Sequence, residues 1–417
     1  MTEKLRMMAA KLVNSTAHGK ELAVWLRDIT KTVWYGVFYA LRYPVDKRMI
    51  LFESYWGRQF ACSPRAVYEE LCRSSAGRKY KIVWAFEEPE RFRELFEGRK
   101  NVRLVKYHSR EHIRCYARAG FWITNSRTPA GIWKKRGQIY VQTWHGTPLK
   151  KIGCDVVNHQ DIPAANRRTH RNYRKEGRQL DYLVSPSAFY TEKLGSALDM
   201  KHMEGRVLEV GYPRNDCLFT FTDADASALK EELGILGDKK VILYAPTWRE
   251  NQHEAGVGYT YRMGLDLKGL KQELASDYVI LFRVHYMVRR LFDFDEYEGF
   301  LYDVSDYSDI SRLYTIADML VTDYSSVFFD YANLKRPILF YMYDFQEYKE
   351  ELRDFYFDIS LLPGPVIKEE ADLGRAIRKL DVTFVYDERY QAFNERFNPH
   401  PQPCSRQVLK KCGILKA

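Results

Sequence analysis

Six short stretches of this 417-residue chain carry residues that hold phosphate or move a proton: NSRTP (125–129), TWHGTP (143–148), GYPRND (211–216), APTWRE (245–250), RVH (283–285) and TDYSS (322–326). In TWHGTP, His145 has an ordinary pKa near 6.5, so it can serve as a base or as a donor to developing charge. Gly146 lets a ligand approach the backbone, and Thr147 followed by Pro148 reads as an N-cap and first helical residue. A helix N-terminus there would offer N–H groups to a phosphate. In RVH, Arg283 and His285 are two apart, hence on one face of an extended strand. Ser325 and Ser326 sit at an expected helix start after Asp323, with Asp330 about one turn on. Arg249 and Arg214 bring planar forks suited to phosphate, and Asp216 follows Arg214 closely. Each stretch also has a purely structural reading as a cap, a turn or a surface charge. Their convergence is the functional argument.

These stretches need a scaffold that brings strand ends together. Short apolar runs supply one: 49–54, 80–86, 102–105, 120–125, 139–144, 181–185 and 206–211, then a second series at 241–248, 278–285, 318–323 and 337–342. Runs of this kind between helical patterns predict parallel sheets covered by helices. A polar stretch at 219–240 separates the two series, so the chain divides into residues 1–48, a domain at 49–215, a second at 216–386 and C-terminal helices at 387–417. In such sheets ligands sit beyond the carboxyl ends of the strands, which is where all six stretches fall.

Lysine plus arginine number 65 against 55 acidic residues, a net charge of +10 that favours an anionic partner. In the first 48 residues Lys4, Arg6, Lys11, Lys20, Arg27 and Lys31 accompany an apolar stripe of Leu22, Trp25, Leu26, Ile29, Val33, Val37, Ala40 and Leu41. That pattern predicts a basic amphipathic helix that either lies on an anionic membrane surface or docks on the domain's own surface. Its uninterrupted apolar run, Val33 to Leu41, falls short of the roughly 20 residues a spanning helix needs. No signal-peptide pattern precedes it. The seven cysteines are scattered without a C-x-x-C pair, which argues against a disulfide framework or zinc site and for a reducing cytoplasm. P-loop, G-x-G-x-x-G, G-x-S-x-G and H-E-x-x-H patterns are missing, so neither metal nor cofactor is expected. No nucleic-acid module is recognisable.

HGTPLKKIG, YAPTWRE, TDYSSVFFDYANLKRPILFYMYD, RDFYFD and PGPVIK, in order between Phe52 and Asp387, resemble the CDP-glycerol glycerophosphotransferase family of teichoic acid primases and polymerases. The resemblance implies an α/β chain of GT-B type, two Rossmann-like domains facing across a cleft, with the donor held mainly by the C-terminal one. It implies transfer of glycerol phosphate from CDP-glycerol to a hydroxyl of a lipid-linked acceptor, releasing CMP, at the cytoplasmic face of the membrane. By the same resemblance His145 and His285 fall on the family's two essential histidines, the first the candidate base and the second a stabiliser of the pyrophosphate. Gly146, Thr147, Pro148, Leu149, Arg214, Pro246, Thr247, Arg249, Arg283 and Val284 would line the donor, Ser325 and Ser326 would hold phosphate, and Asp330 would reach the cytidine or ribose. Asp216 and Asp323 are candidate supports. Tyr286 stands where family members often have proline, which bears on the loop after His285. Three other readings remain open: a CDP-ribitol transferase, a GT-B glycosyltransferase using a sugar nucleotide, and an inactive membrane- or polyanion-binding protein.

Overall fold

In the computed structural model of the chain, the residues described are 17–156, 163–247, 253–254, 258–259, 264–284, 294–345, 355–356 and 358–416. Helix α1 (Ala17–Tyr35) leads through a π-helical turn, Gly36–Ala40, into the first domain. That domain comprises β1 (Asp46–Glu53), α2 (Cys62–Arg73), β2 (Lys81–Phe86), β3 (Val102–Lys106), α3 (Arg110–Arg118), β4 (Ala119–Thr124), β5 (Ile139–Gln142), α4 (Pro163–Gln179), β6 (Tyr182–Ser185), α5 (Ala188–Ala197) and β7 (Val207–Glu209). The second begins with α6 (Asp216–Thr220) and α7 (Asp223–Glu232), then β8 (Lys240–Tyr244), the small pair β9 (His253–Glu254) and β10 (Gly258–Tyr259), and α8 (Leu267–Leu274). It continues with β11 (Tyr278–Phe282), β12 (Leu301–Asp303), α9 (Ile310–Ile316), β13 (Met319–Thr322), α10 (Val327–Tyr331), β14 (Ile338–Tyr341), β15 (Val366–Ile367) and α11 (Leu373–Thr383). Two further helices, α12 (Glu388–Phe397) and α13 (Ser405–Lys411), end the chain.

The two sheets run β3-β2-β1-β4-β5-β6-β7 and β12-β11-β8-β13-β14-β15. All their strand pairs are parallel. Alternation along each strand explains why both sheet faces are dry. In β1, Leu51 joins the core on one face while Ile50 and Phe52 join the other. In β8, Val241 and Leu243 face one way, Ile242 and Tyr244 the other. Each sheet reverses its order beside its first strand, between β1 and β4 and between β8 and β13. The crevice beyond those strands is therefore the place for a ligand.

Helix α12 packs Tyr390, Phe393 and Phe397 into the second domain's core. The chain then crosses back, and α13 buries Val408 and Leu409 in the first domain beside β1 and β2. Asp216 fixes that return, because its carboxylate accepts the N–H groups of Cys404 (2.8 Å) and Ser405 (2.9 Å) at the start of α13. It therefore acts as an anchor for the helix N-terminus and takes no part in the cleft.

Helix α1 and the turn after it point Trp25, Leu26, Ile29, Val33, Val37 and Leu41 of the apolar stripe outward, while Ala40 docks. Trp25 is 47% exposed, Val33 58% and Leu41 81%, with Leu26, Ile29 and Val37 exposed between them. Tyr35, Tyr39 and Ala40 are the residues that dock, and Tyr35 meets Trp133 edge-on at 5.6 Å. Among the described residues no helix is long and apolar enough to cross a membrane.

Candidate active site

The HGTP turn follows β5 directly, as its place at a strand end predicts, but no helix begins at Thr147 and Pro148. The segment stays extended because its backbone pairs with the other domain. Lys150 forms an antiparallel bridge with Phe355, and the carbonyl of Leu149 accepts the N–H of Tyr356 at 2.9 Å. Tyr356 also donates its hydroxyl to Asp155 at 2.7 Å. Thr-Pro, an opening signal for a helix, here spans a clasp between domains.

His145 is half-buried and held on three sides. Its Nδ1 lies 2.6 Å from the carbonyl oxygen of Asn125, which can only accept, so Nδ1 carries the proton and Nε2 keeps its lone pair. Trp144 stacks on the ring at 4.8 Å, and Tyr55 flanks it at 5.8 Å. Burial lowers the imidazole pKa to about 4, the Asn125 bond opposes this, and Arg214 and Arg127 lower it further. The ring is thus a neutral, tautomer-fixed acceptor, which a general base requires.

That pKa has a consequence for stability. The unfolded ring titrates near 6.5 and the folded one near 4, so the folded state resists protonation. The stability that this neutral ring permits is complete above pH 6.5 and declines as pH falls from 6.5 to 4. The loss is at most about 3 kcal/mol, and less because the ring edge reaches solvent. We expect His145→Gln to lose less stability than wild type between pH 7 and pH 4.5 in urea titrations. Equal losses would contradict the burial effect.

The backbone around this ring is unusual. Tyr55 (φ 47°), Trp56 (φ 56°), Cys62 (φ 64°) and Trp144 (φ 50°) all adopt left-handed conformations without being glycine. Such residues cost about 1–2 kcal/mol each and gather where the surroundings impose them. Asn125 is one such imposition: its side-chain Oδ1 accepts the Tyr55 N–H at 2.8 Å and the Ser126 hydroxyl at 3.1 Å. Gln142 is another, accepting the Trp144 N–H at 2.9 Å and donating to the Ser126 carbonyl at 3.1 Å. One polar brace thus sets both the His145 ring and the aromatic turn facing it. Burial keeps the Tyr55 phenol protonated, its pKa well above the ordinary value.

Across the cleft, Gly146 lies against Ser326 so closely that a Cβ on it would stand 2.8 Å from the serine hydroxyl. Ser326 occupies the N-cap position of α10, yet its side chain makes no cap bond. Asp323 accepts the Thr247 N–H at 2.8 Å, tying the ends of β13 and β8 together. Arg214 reaches Asp330 with two nitrogens, at 2.5 and 3.3 Å, and Asn215 adds a third bond at 2.9 Å. Asp330, expected to meet the nucleoside, is thus engaged within the protein, and the pair is 7% and 5% exposed. Arg283 donates to the carbonyls of Val304 (2.8 Å) and Tyr307 (2.7 Å), while Val284 is buried in the core behind it.

Two cavities meet at this point. One, of about 410 Å³, is walled by Trp144 through Lys150, Ile152, Tyr173, Pro246, Thr247 and Tyr324 to Ser326. The other, of about 370 Å³, is walled by Tyr55, Trp56, Arg58, Gln59, Arg214, Arg283, Ile310, Tyr314, Val327 and Asp330. His145 and Ser326 line both. The structure therefore gathers Gly146, Thr147, Pro148, Leu149, Pro246, Thr247, Ser325 and Ser326 on one side, and Arg214, Arg283 and Asp330 on the other. His285, Tyr286 and Arg249 lie outside the described residues. Tyr55 and Trp56 escaped sequence reasoning. The available signal was an aromatic pair before glycine at a strand end, in ESYWG (53–57).

The sequence family described as CDP-glycerol:poly(glycerophosphate) glycerophosphotransferase matches residues 36–410. The chain is 42% identical over 356 residues to the teichoic acid poly(glycerol phosphate) polymerase of Bacillus spizizenii, covering 85% of this chain and 89% of that protein. It is 40% identical over 367 residues to the teichoic acid glycerol-phosphate transferase of Staphylococcus aureus, covering 87% and 92%. A solved structure of the wall teichoic acid polymerase TagF superposes with a TM-score of 0.81 at 33% identity, over 99% of this chain and 98% of that one.

Proposed function

This chain belongs to the CDP-glycerol:poly(glycerophosphate) glycerophosphotransferase family, and we propose that the cleft at His145 is where it transfers glycerol phosphate. It is a transferase of teichoic acid synthesis that takes glycerol phosphate from CDP-glycerol. In the proposed step an acceptor hydroxyl gives its proton to Nε2 of His145 while its oxygen attacks the phosphorus that bears glycerol. A new P–O bond forms to the acceptor, the P–O bond to the bridging oxygen breaks, and CMP leaves with the electron pair. The acceptor is thereby one glycerol phosphate longer.

The observation that carries this reading is the Nδ1 bond from His145 to Asn125, which points a neutral Nε2 toward the junction of two cavities. Arg214 and Arg283, close by, offset the charge that collects on the leaving group. The Ser326 hydroxyl and the Gly146 backbone face the same point from opposite domains. To test it, CDP-glycerol labelled in glycerol or in cytidine is supplied with a glycerol phosphate oligomer. Glycerol label should enter the oligomer with one CMP released per unit, and cytidine label should not. Faster turnover of CDP-ribitol, or transfer only from a sugar nucleotide, would overturn the donor assignment.

The acceptor we propose is lipid-linked, with α1 holding the enzyme to an anionic cytoplasmic membrane face. The exposed row Trp25, Leu26, Ile29, Val33, Val37 and Leu41 supports this, since a contiguous apolar face on a soluble surface marks a contact site. Replacing Trp25, Val33, Val37 and Leu41 together by serine should abolish sedimentation with vesicles containing phosphatidylglycerol. Turnover on a soluble acceptor should persist. Retained sedimentation would remove α1 from that role.

A further inference from the structure

His145 is oriented by a backbone carbonyl, and the residue that owns this carbonyl has its side chain committed to the same corner of the cleft. Asn125, directly after β4, is fully buried and walls neither cavity, so it stands behind the substrates rather than against them. Its carbonyl oxygen accepts the Nδ1 proton of His145, while its Oδ1 accepts the Tyr55 N–H at 2.8 Å. Its Nδ2 donates to the Ser54 hydroxyl at 3.4 Å, which donates in turn to the Ala61 carbonyl at 2.9 Å. One asparagine thus holds both the imidazole and the turn whose Tyr55 ring flanks it at 5.8 Å.

The far end of that turn is tied elsewhere, the Gly57 carbonyl accepting the Glu87 N–H at 2.8 Å. At the near end the tie is Asn125. Tyr55 and Trp56 stand side by side in left-handed conformations, which persist only where neighbours impose them. Loss of Oδ1 lets the turn relax and the Tyr55 ring leave His145.

The amide matters for its charge as well as its reach. A carboxylate here would accept the Tyr55 N–H equally well, but it would favour the protonated ring. The charges that act on the ring are two cations, Arg214 and Arg127, and the neighbouring Tyr55 phenol stays neutral. Asp330, the nearest carboxylate in the cavity wall, is already paired with Arg214. A neutral brace therefore leaves Nε2 its lone pair.

We propose that Asn125 is the positioning residue of the base, its neutral amide fixing the Tyr55 turn and the His145 ring as one unit. This rests on the glycerophosphotransferase reading and adds to it the group that makes His145 fit for its role. Asn125 acts through His145 and exchanges no proton itself.

The test follows CMP release from CDP-glycerol by the full chain, with a lipid-free glycerol phosphate oligomer as acceptor. Asn125→Ala should lower kcat by about 10- to 100-fold, because a base displaced from its line loses much of its contribution. The Kd for CDP-glycerol should stay within about twofold, since the amide meets no ligand. Asn125→Asp keeps Oδ1 and should restore most of kcat at alkaline pH. It should also lift the acid limb of the kcat profile by about two pH units, the effect of a carboxylate so near the ring. In a His145→Ala background, Asn125→Ala should lower kcat no further, whereas a merely structural lesion would add its own loss. Unchanged kcat in Asn125→Ala would overturn the inference, as would additive losses in the double variant. If Asn125→Ala does not fold, the near-isosteric Asn125→Asp decides alone: a profile that coincides with wild type overturns the inference. Wild-type release is measured first. If there is none, the glycerophosphotransferase reading itself fails; normal release with an unmoved Asn125→Asp profile defeats this inference only.

Discussion

Replacing His145 by alanine should lower kcat for CMP release by about 100- to 10,000-fold, the range for loss of a positioned general base. The Kd for CDP-glycerol should change little, because the ring edge contributes one neutral contact to a site dominated by arginines and backbone donors. The loss falls on kcat because Nε2 engages the acceptor proton only as the new bond forms. Added imidazole should restore a measurable fraction, since the truncation leaves a ring-sized space between Trp144 and Tyr55, which flank it at 4.8 and 5.8 Å. A variant with wild-type kcat and a raised KM would make His145 a binding residue and leave the base unidentified.

Arg214→Met should be the most destabilising change in the cleft. The Arg214–Asp330 pair is nearly inaccessible to water, and removing one partner leaves a buried charge without its counter-charge. Such truncations cost about 3–5 kcal/mol. For a domain of this size that corresponds to a fall in melting temperature on the order of 10 °C. Arg214→Met combined with Asp330→Leu should recover most of the stability, because no buried charge remains. Activity should not return, since the guanidinium also faces the diphosphate. An unshifted melting curve for Arg214→Met would show that the pair is solvated in solution. Recovery of activity in the double variant would remove Arg214 from the reaction.

The strands were legible because alternation and β-branched content leave little choice for a segment buried on both faces. Each apolar run read from sequence became a strand, in the expected two series. The edge strands β12 and β15 were missed, being three and two residues long with too few positions for a pattern. The candidate cleft was legible in the stretches that follow strand ends, whose residues His145, Thr247 and Ser326 line one cavity. Thr147 and Pro148 misled because the same dipeptide suits a helix start and an extended segment, and only the partner at Phe355 decides between them. Asp216 misled for a related reason. An acid near a strand end serves a helix N-terminus as well as a ligand, and α13 arrives there from almost 190 residues later. Nothing local announces left-handed Tyr55, Trp56 and Trp144, since propensity disfavours that conformation for aromatic residues. Tyr55 is held by Asn125, a partner 70 residues away that a single sequence does not pair with it, and Trp144 by the side chain of Gln142 two residues before it.

The return of α13 to the first domain has a mechanical consequence. The chain crosses between domains twice, once between β7 and α6 and once between α12 and α13, and Asp216 clamps the second crossing to the end of the first. Two adjacent covalent crossings act as the pin of a door. Relative motion of the domains would then be a swing about that line, not a parting or a slide along it, and would open the cleft on the side away from the pin. Such a swing would separate Gly146 from Ser326 and the Leu149 carbonyl from Tyr356 in one motion. Opening the cleft and disassembling the proposed catalytic surface would thus be a single coordinate.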